Sequence, residues 1–175
     1  RTGFSPSSEE IRSFASLTRA EAIERLLAAG IRQALTPPPP WVGEPLEPRA
    51  LREAGVEERR VLLQREFERG VALRAWWIGE MVQTPSPLTE RMTLFWHGHF
   101  ASSQQKVRFA QLMYRQNVLL RQHAMGNFGA LLHAIARDPA MVIYLDSATN
   151  RRGHPNENFA REVMELFTDR KSTRL

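Results

Sequence analysis

Two histidines separated by one residue, His97 and His99, are the first side chains in this sequence whose types and spacing could do chemistry. On a strand they would share a face and could bind one metal ion, but on a helix they point about 200° apart. The stretch 87–100 has a helical pattern, so we expect His99 on the apolar side and His97 on the side of Glu90. His97 and Glu90 are therefore candidate acid–base catalysts. The alternative is a structural pair, with His99 in the core and His97 bound to a carboxylate.

A second group of carboxylates lies on the last predicted helix. Asn158, Glu162 and Glu165 fall on one stripe of that helix, at spacings i, i+4 and i+7. Two carboxylates one turn apart can bind a hard cation or share a proton. Glu162 is thus a further candidate catalytic residue, and His97, Glu162 and Glu165 are candidate ligands of a divalent metal. The alternative is a solvated face whose carboxylates pair with arginines such as Arg161.

The loop that precedes this helix is dense in carboxylate and amide side chains, beginning at Asp146. Such groups make turns, anchor nearby backbone or bind ligands. Asn156 is also placed to cap the last helix. The candidate ligand-binding residues of this region are Asn150, Asn156, Asn158 and Arg161.

The elements that must position these residues are all helices. Apolar residues recur at helical spacing along most of the chain, and Thr18 with Glu21 has the spacing of a capping box. Pro87 stands at the first position of a helix and Asp138 is placed to cap another. No run alternates with the period of a strand. We predict an all-α fold, an irregular bundle of about seven or eight helices with no sheet.

Composition bounds the class of protein. The chain has 175 residues, 42% of them hydrophobic and 25% charged, which is typical of one soluble domain with a real core. The net charge is +5, but there is no basic run with interleaved aromatic residues, so we predict no nucleic-acid partner. No apolar run reaches the ~20 residues of a membrane span. The absence of cysteine excludes disulfides and thiolate chemistry.

Four phrases together resemble a known family. RTGFSPSSEEI, PLTERMTLFWHGHFASS, RQNVLLRQHAMGNFGALLHAIARDPAMVIYLD and NENFAREVMELFT occur in this order. They are similar to the bacterial family called domain of unknown function 1800, over most of residues 1–168. We expect residues 1–168 to be the N-terminal part of that family's domain. Residues 169–175 depart from the family pattern after Thr168, and we expect this tail to come from a truncated reading frame.

The resemblance implies a context rather than a reaction. Family members are commonly longer, largely helical and often exported, and are frequently encoded beside an exported protein related to sulfatases. This implies export, for example to the periplasm, and makes the neighbouring protein a candidate partner. Two hypotheses follow: a metal-assisted or acid–base hydrolase that acts on an envelope component or a polymer, or a non-catalytic helical module that binds a partner protein.

Overall fold

In a computed structural model of the chain, ten α-helices and one 3₁₀ turn account for the regular structure of the described residues. The structure describes residues 4, 6–30, 33–147, 150, 151, 153 and 156–167. For residues 157, 158 and 165–167 it describes the backbone but not the side chains. The described residues contain no β-strand, which confirms the all-α prediction. The helices are α1 Ser8–Ala15, α2 Arg19–Ala28, α3 Pro48–Glu53, α4 Val56–Gln83, α5 Pro87–His99, α6 Gln104–Val107, α7 Ala110–His123, α8 Phe128–Ile135, α9 Pro139–Tyr144 and α10 Glu157–Phe167, and the 3₁₀ turn is Pro40–Gly43.

The first two helices begin where local sequence dictates. In α1 the Ser7 side chain accepts from the backbone N–H of Glu10, and the Glu10 carboxylate accepts from the backbone of Ser7. Thr18 and Glu21 form the same reciprocal pair at the start of α2, as predicted. Each box satisfies two backbone donors that have no partner within the helix.

The spacing of apolar residues predicts one helix from about 107 to 123, but the structure divides this segment. Arg108 adopts a left-handed backbone with φ of 68° and ends the short helix α6. The separate helix α7 then starts at Ala110, whose backbone N–H donates to the buried Glu66 carboxylate at 3.0 Å. A partner 44 residues away therefore starts this helix.

Helix α7 lies at the centre of the fold and packs against α4, α5, α6, α8 and α9. It contributes to both hydrophobic clusters. One contains Phe100, Leu120, Leu131, Ile135, Met141 and Leu145, and the other contains Leu73, Val107, Leu112, Met113 and Ala140. The residues of α4, α5 and α7 are thereby held in fixed relative positions. No helix in the described ranges is both long and apolar enough to cross a membrane.

Two buried carboxylates in this core accept hydrogen bonds from backbone N–H groups. Glu80, 1% exposed, accepts from the backbone N–H groups of Leu35 and Thr36 at 2.7 and 2.8 Å. Asp138 caps α9, as predicted, by accepting from the Met141 N–H, and it also accepts from Gln116 Nε2 at 2.8 Å. Charged acceptors of this kind make stronger hydrogen bonds than neutral ones.

Replacing Asp138 by alanine should lower the free energy of unfolding by about 2–3 kcal/mol, because it removes a helix cap and leaves the buried Gln116 amide without one partner. Asn127 is the matched control, since its exposed side chain caps α8 through the Ala130 N–H at 3.0 Å and bonds to no second group among the described residues. Asn127→Ala should cost only the cap, about 1 kcal/mol. Urea unfolding of both variants checks this, and equal losses would contradict the role given to Gln116.

Helix α4 also carries an apolar face that no described element covers. Its members recur on one side of the helix with large exposed fractions. We call this set the α4 outer stripe: Val56 (85%), Phe67 (61%), Val71 (44%), Ile78 (59%) and Val82 (58%).

Candidate functional site

A cleft of about 410 Å³ with a mixed polar and apolar lining lies where α4, α5 and α7 meet. Helix α4 contributes Gly70, Leu73, Arg74 and Trp77, and α7 contributes Met113 and Asn117. The loop and short helix between α5 and α7 close one side with residues 102–105. His97, from α5, also lines this cleft. Its size is within the range of small-molecule sites in proteins.

His97 is held in the cleft by an aromatic contact. The edge of its ring meets Trp77 with centroids 5.1 Å apart and an interplanar angle of 87°. Burial lowers the pKa of the His97 imidazole below its ordinary value of 6.5, because the charged form is less well solvated there. His97 is therefore neutral at pH 7, the form that can accept a proton.

A second layer of side chains fixes Trp77. Its indole Nε1 donates to Glu90 Oε2 at 2.9 Å. The Glu90 carboxylate is in turn bound in bidentate fashion by Arg121, through Nε at 2.6 Å and Nη2 at 3.1 Å. Glu90 and Arg121 are 2% and 1% exposed. The predicted catalytic residue Glu90 thus lies behind the cleft wall, and it contacts Trp77 rather than His97.

The expected pairing of His97 with a carboxylate is therefore replaced by an indirect arrangement. Arg121 binds Glu90, Glu90 accepts from Trp77, and Trp77 contacts His97. His99 contacts the rings of Phe95, Trp96 and Phe100, on the apolar side as predicted. The cleft lining contains His97 without His99, in keeping with the helical geometry.

Asn117 is the cleft residue that the sequence interpretation missed. It is 4% exposed, and neither its Nδ2 nor its Oδ1 has a hydrogen-bond partner among the described residues. A buried polar group left unsatisfied costs about 1–3 kcal/mol, so the position is unfavourable unless a ligand or a water pairs with it. A signal was present in the sequence, because Asn117 is one turn from Met113 and Leu120 on the apolar face of α7.

Four predicted residues of the C-terminal region have described side chains, and they lie outside this lining: Asn150, Asn156, Arg161 and Glu162. The carboxylate of Glu162 on α10 is 4.0 Å from Arg161, and the Glu162 side chain is 27% exposed. Asn150 Oδ1 accepts from the backbone N–H of Asn156, whose amide donates to the carbonyls of Leu145 and Asp146 at 3.4 and 3.3 Å. These bonds join the end of α9 to the start of α10.

The predicted metal set remains a prediction. Glu165 and Asn158 have side chains outside the described part of the structure. Within the described part, no three His, Asp or Glu side chains are grouped so that they could hold a metal ion.

The burial of His97 gives stability a pH dependence. The unfolded chain binds the proton with the ordinary pKa of 6.5 and the folded chain with a lower pKa, so the unfolded state holds more protons between these two values. The contribution is fully present above pH 6.5 and is lost as pH falls toward the folded pKa. Urea unfolding from pH 7.5 downward should show a shallower acid loss for His97→Gln than for the parent chain. His133→Gln, at an exposed histidine, is the control and should follow the parent.

The fold and the cleft define a class: an all-α domain with a cleft of mixed polar and apolar lining that contains one neutral histidine. A family model described as "Protein of unknown function (DUF1800)" matches residues 1–168, and the chain belongs to this family, as its sequence phrases predicted. Neither a curated protein nor a solved structure matches the chain.

Proposed function

We propose that this chain forms part of an exported acid–base hydrolase that acts on a polymer or another component of the cell envelope, with His97 as the catalytic base and acid. The observation that supports this most is the placement of a neutral imidazole in a cleft large enough for a ligand. None of the described residues donates a hydrogen bond to the ring nitrogens of His97 or accepts one from them, so the ring is able to exchange a proton with a substrate or water. Export rests on the family resemblance.

A single imidazole can act first as general base and then as general acid in the hydrolysis of an ester. His97 would take a proton from water while the water oxygen bonds to the carbonyl carbon of an acyl ester. The tetrahedral intermediate would then break its bond to the alcohol oxygen, which receives the proton back from His97. The products are a carboxylic acid and an alcohol. Glycosidic bonds instead commonly need two carboxyl groups, and the described lining of the cleft has none.

Trp77, Glu90 and Arg121 act as positioning residues in this scheme. The bidentate ion pair fixes Glu90, Glu90 fixes the indole, and the indole fixes the plane of the His97 ring. Neighbouring side chains that are themselves fixed by packing and hydrogen bonds help to keep a catalytic group in its productive orientation.

The test is release of acid from polymeric esters by the full chain, with O-acetylated xylan and poly(3-hydroxybutyrate) as substrates. We expect His97→Gln to lower kcat/KM by at least about 100-fold, the lower range for loss of an acid–base group. His133→Gln, at an exposed histidine outside the cleft, should keep the parent rate. Equal activity of the parent and His97→Gln, or no activity on either polymer, would refute the proposal.

The second candidate function is a non-catalytic helical module that binds a partner protein, such as a neighbouring exported protein related to sulfatases. The α4 outer stripe favours it, because uncovered apolar patches often mark protein contacts. Phe67→Glu should abolish co-elution with that partner on size exclusion, and His97→Gln should leave co-elution unchanged. Failure of the parent chain to co-elute would count against the module.

A further inference from the structure

The amide of Asn117 is the strongest unexplained feature of the cleft. It lies on α7, 4% exposed, with a donor and an acceptor that both have no partner in the described part of the chain. Buried polar atoms in folded proteins nearly always have a partner, so this amide calls for one that reaches the cleft floor. The partner must satisfy two different requirements at once, because Nδ2 donates and Oδ1 accepts.

This double requirement selects among ligand chemistries. An ionised carboxylate accepts from Nδ2 but has no proton for Oδ1, and an ammonium group donates to Oδ1 but cannot accept from Nδ2. A trans peptide bond directs its N–H and its carbonyl to opposite sides, so one peptide unit cannot pair with both atoms. Two hydroxyl groups on adjacent carbons can, since one donates while the other accepts.

The remaining cleft side chains fit the same kind of ligand. Ser103, Gln104 and Gln105 supply further neutral hydrogen-bonding groups, and Trp77 supplies an aromatic ring. Among the described lining residues Arg74 alone is charged. Gly70 keeps the cleft wide, because a Cβ there would lie 3.2 Å from Cδ of Gln104.

We propose that the cleft floor is a subsite for a neutral saccharide, with two adjacent hydroxyl groups of one sugar ring paired to the Asn117 amide. The inference rests on the proposed hydrolytic function, and it names the polymer as a polysaccharide that carries acyl esters. Asn117 would bind the sugar, while His97 would act on the ester beside it.

The experiment measures binding separately from hydrolysis. The full chain is titrated with xylotetraose, cellotetraose and maltotetraose, followed by calorimetry and by the fluorescence of its tryptophans. We expect at least one to bind, and Asn117→Leu, which has a similar size but no hydrogen-bonding group, to weaken that binding at least about tenfold. Gln122→Leu is the matched control, an exposed amide on the same helix, and should bind as the parent does.

A second variant tests the inference independently, in case Asn117→Leu does not fold. Gly70→Ala narrows the cleft against Gln104 without altering Asn117, and it should weaken binding as well. No binding of any of the three saccharides at about 10 mM, tenfold above a ~1 mM Kd, would overturn the inference. Equal binding by the parent and Asn117→Leu would overturn it too. Hydrolysis of poly(3-hydroxybutyrate) without saccharide binding would overturn the saccharide subsite and leave the proposed hydrolytic function standing. Saccharide binding without any hydrolysis would overturn the hydrolytic function and leave the sugar-binding role of Asn117 standing.

Discussion

Glu90→Ala should lower the free energy of unfolding by about 3–5 kcal/mol, the usual cost of removing one partner of a buried ion pair. The Arg121 guanidinium is 1% exposed, and no residue that the structure describes forms a hydrogen bond with its Nη1. Without Glu90 its charge would remain buried with no carboxylate beside it, and Trp77 would lose the acceptor for its indole N–H. Urea unfolding at pH 7 measures the loss.

The matched control is an ion pair on the surface. Lys106 donates to Asp146 at 2.7 Å, but both side chains are about half exposed, at 44% and 58%. Water and salt screen such pairs, so Lys106→Ala should cost at most about 1 kcal/mol. Similar losses for the two variants would show that burial of the Glu90–Arg121 pair is not what makes it important.

Phe100→Ala should be comparably destabilising, by about 3–5 kcal/mol, because it opens a cavity in the core. Phe100 is 1% exposed and packs against Leu120, Leu131 and Met141. Phe95, on the helix that ends next to Phe100, is 55% exposed and is the matched control. Phe95→Ala should change stability by only about 0.5–1 kcal/mol. Thermal and urea unfolding of both variants give the comparison, and a loss below about 1 kcal/mol for Phe100→Ala would contradict its place in the core.

Local signals in the sequence were sufficient for most of the fold. The Thr18–Glu21 capping box, Pro87 at a first helical position and the Asp138 cap predicted where three helices begin, because each acts within three residues of the chain. The break at Arg108 was missed, since it depends on the Glu66 carboxylate that receives the Ala110 N–H from another helix. The short α6 was not predicted, because its four residues have little periodic signal of their own.

The candidate site was predictable only where helical periodicity decides. The opposite directions of His97 and His99 follow from a spacing of two residues on a helix. The pairing of Glu90 with Arg121 joins residues 31 apart, and nothing local distinguishes Arg121 from the other arginines of the chain. The convergence of Asn117 with His97 depends on how α5 packs against α7, which single-sequence patterns do not encode.

The length of α4 has a consequence for backbone opening. At 1.5 Å per residue its 28 residues extend about 42 Å, yet its buried residues are Glu66, Gly70, Leu73 and Glu80. The first ten residues, 56–65, therefore have no buried side chain to hold them. Amide protons there should exchange with deuterium through local fraying, whereas those between Gly70 and Glu80 should exchange only when the whole domain opens. Amide protons of a single helix would thus range from weak protection against exchange at its first turns to strong protection between Gly70 and Glu80.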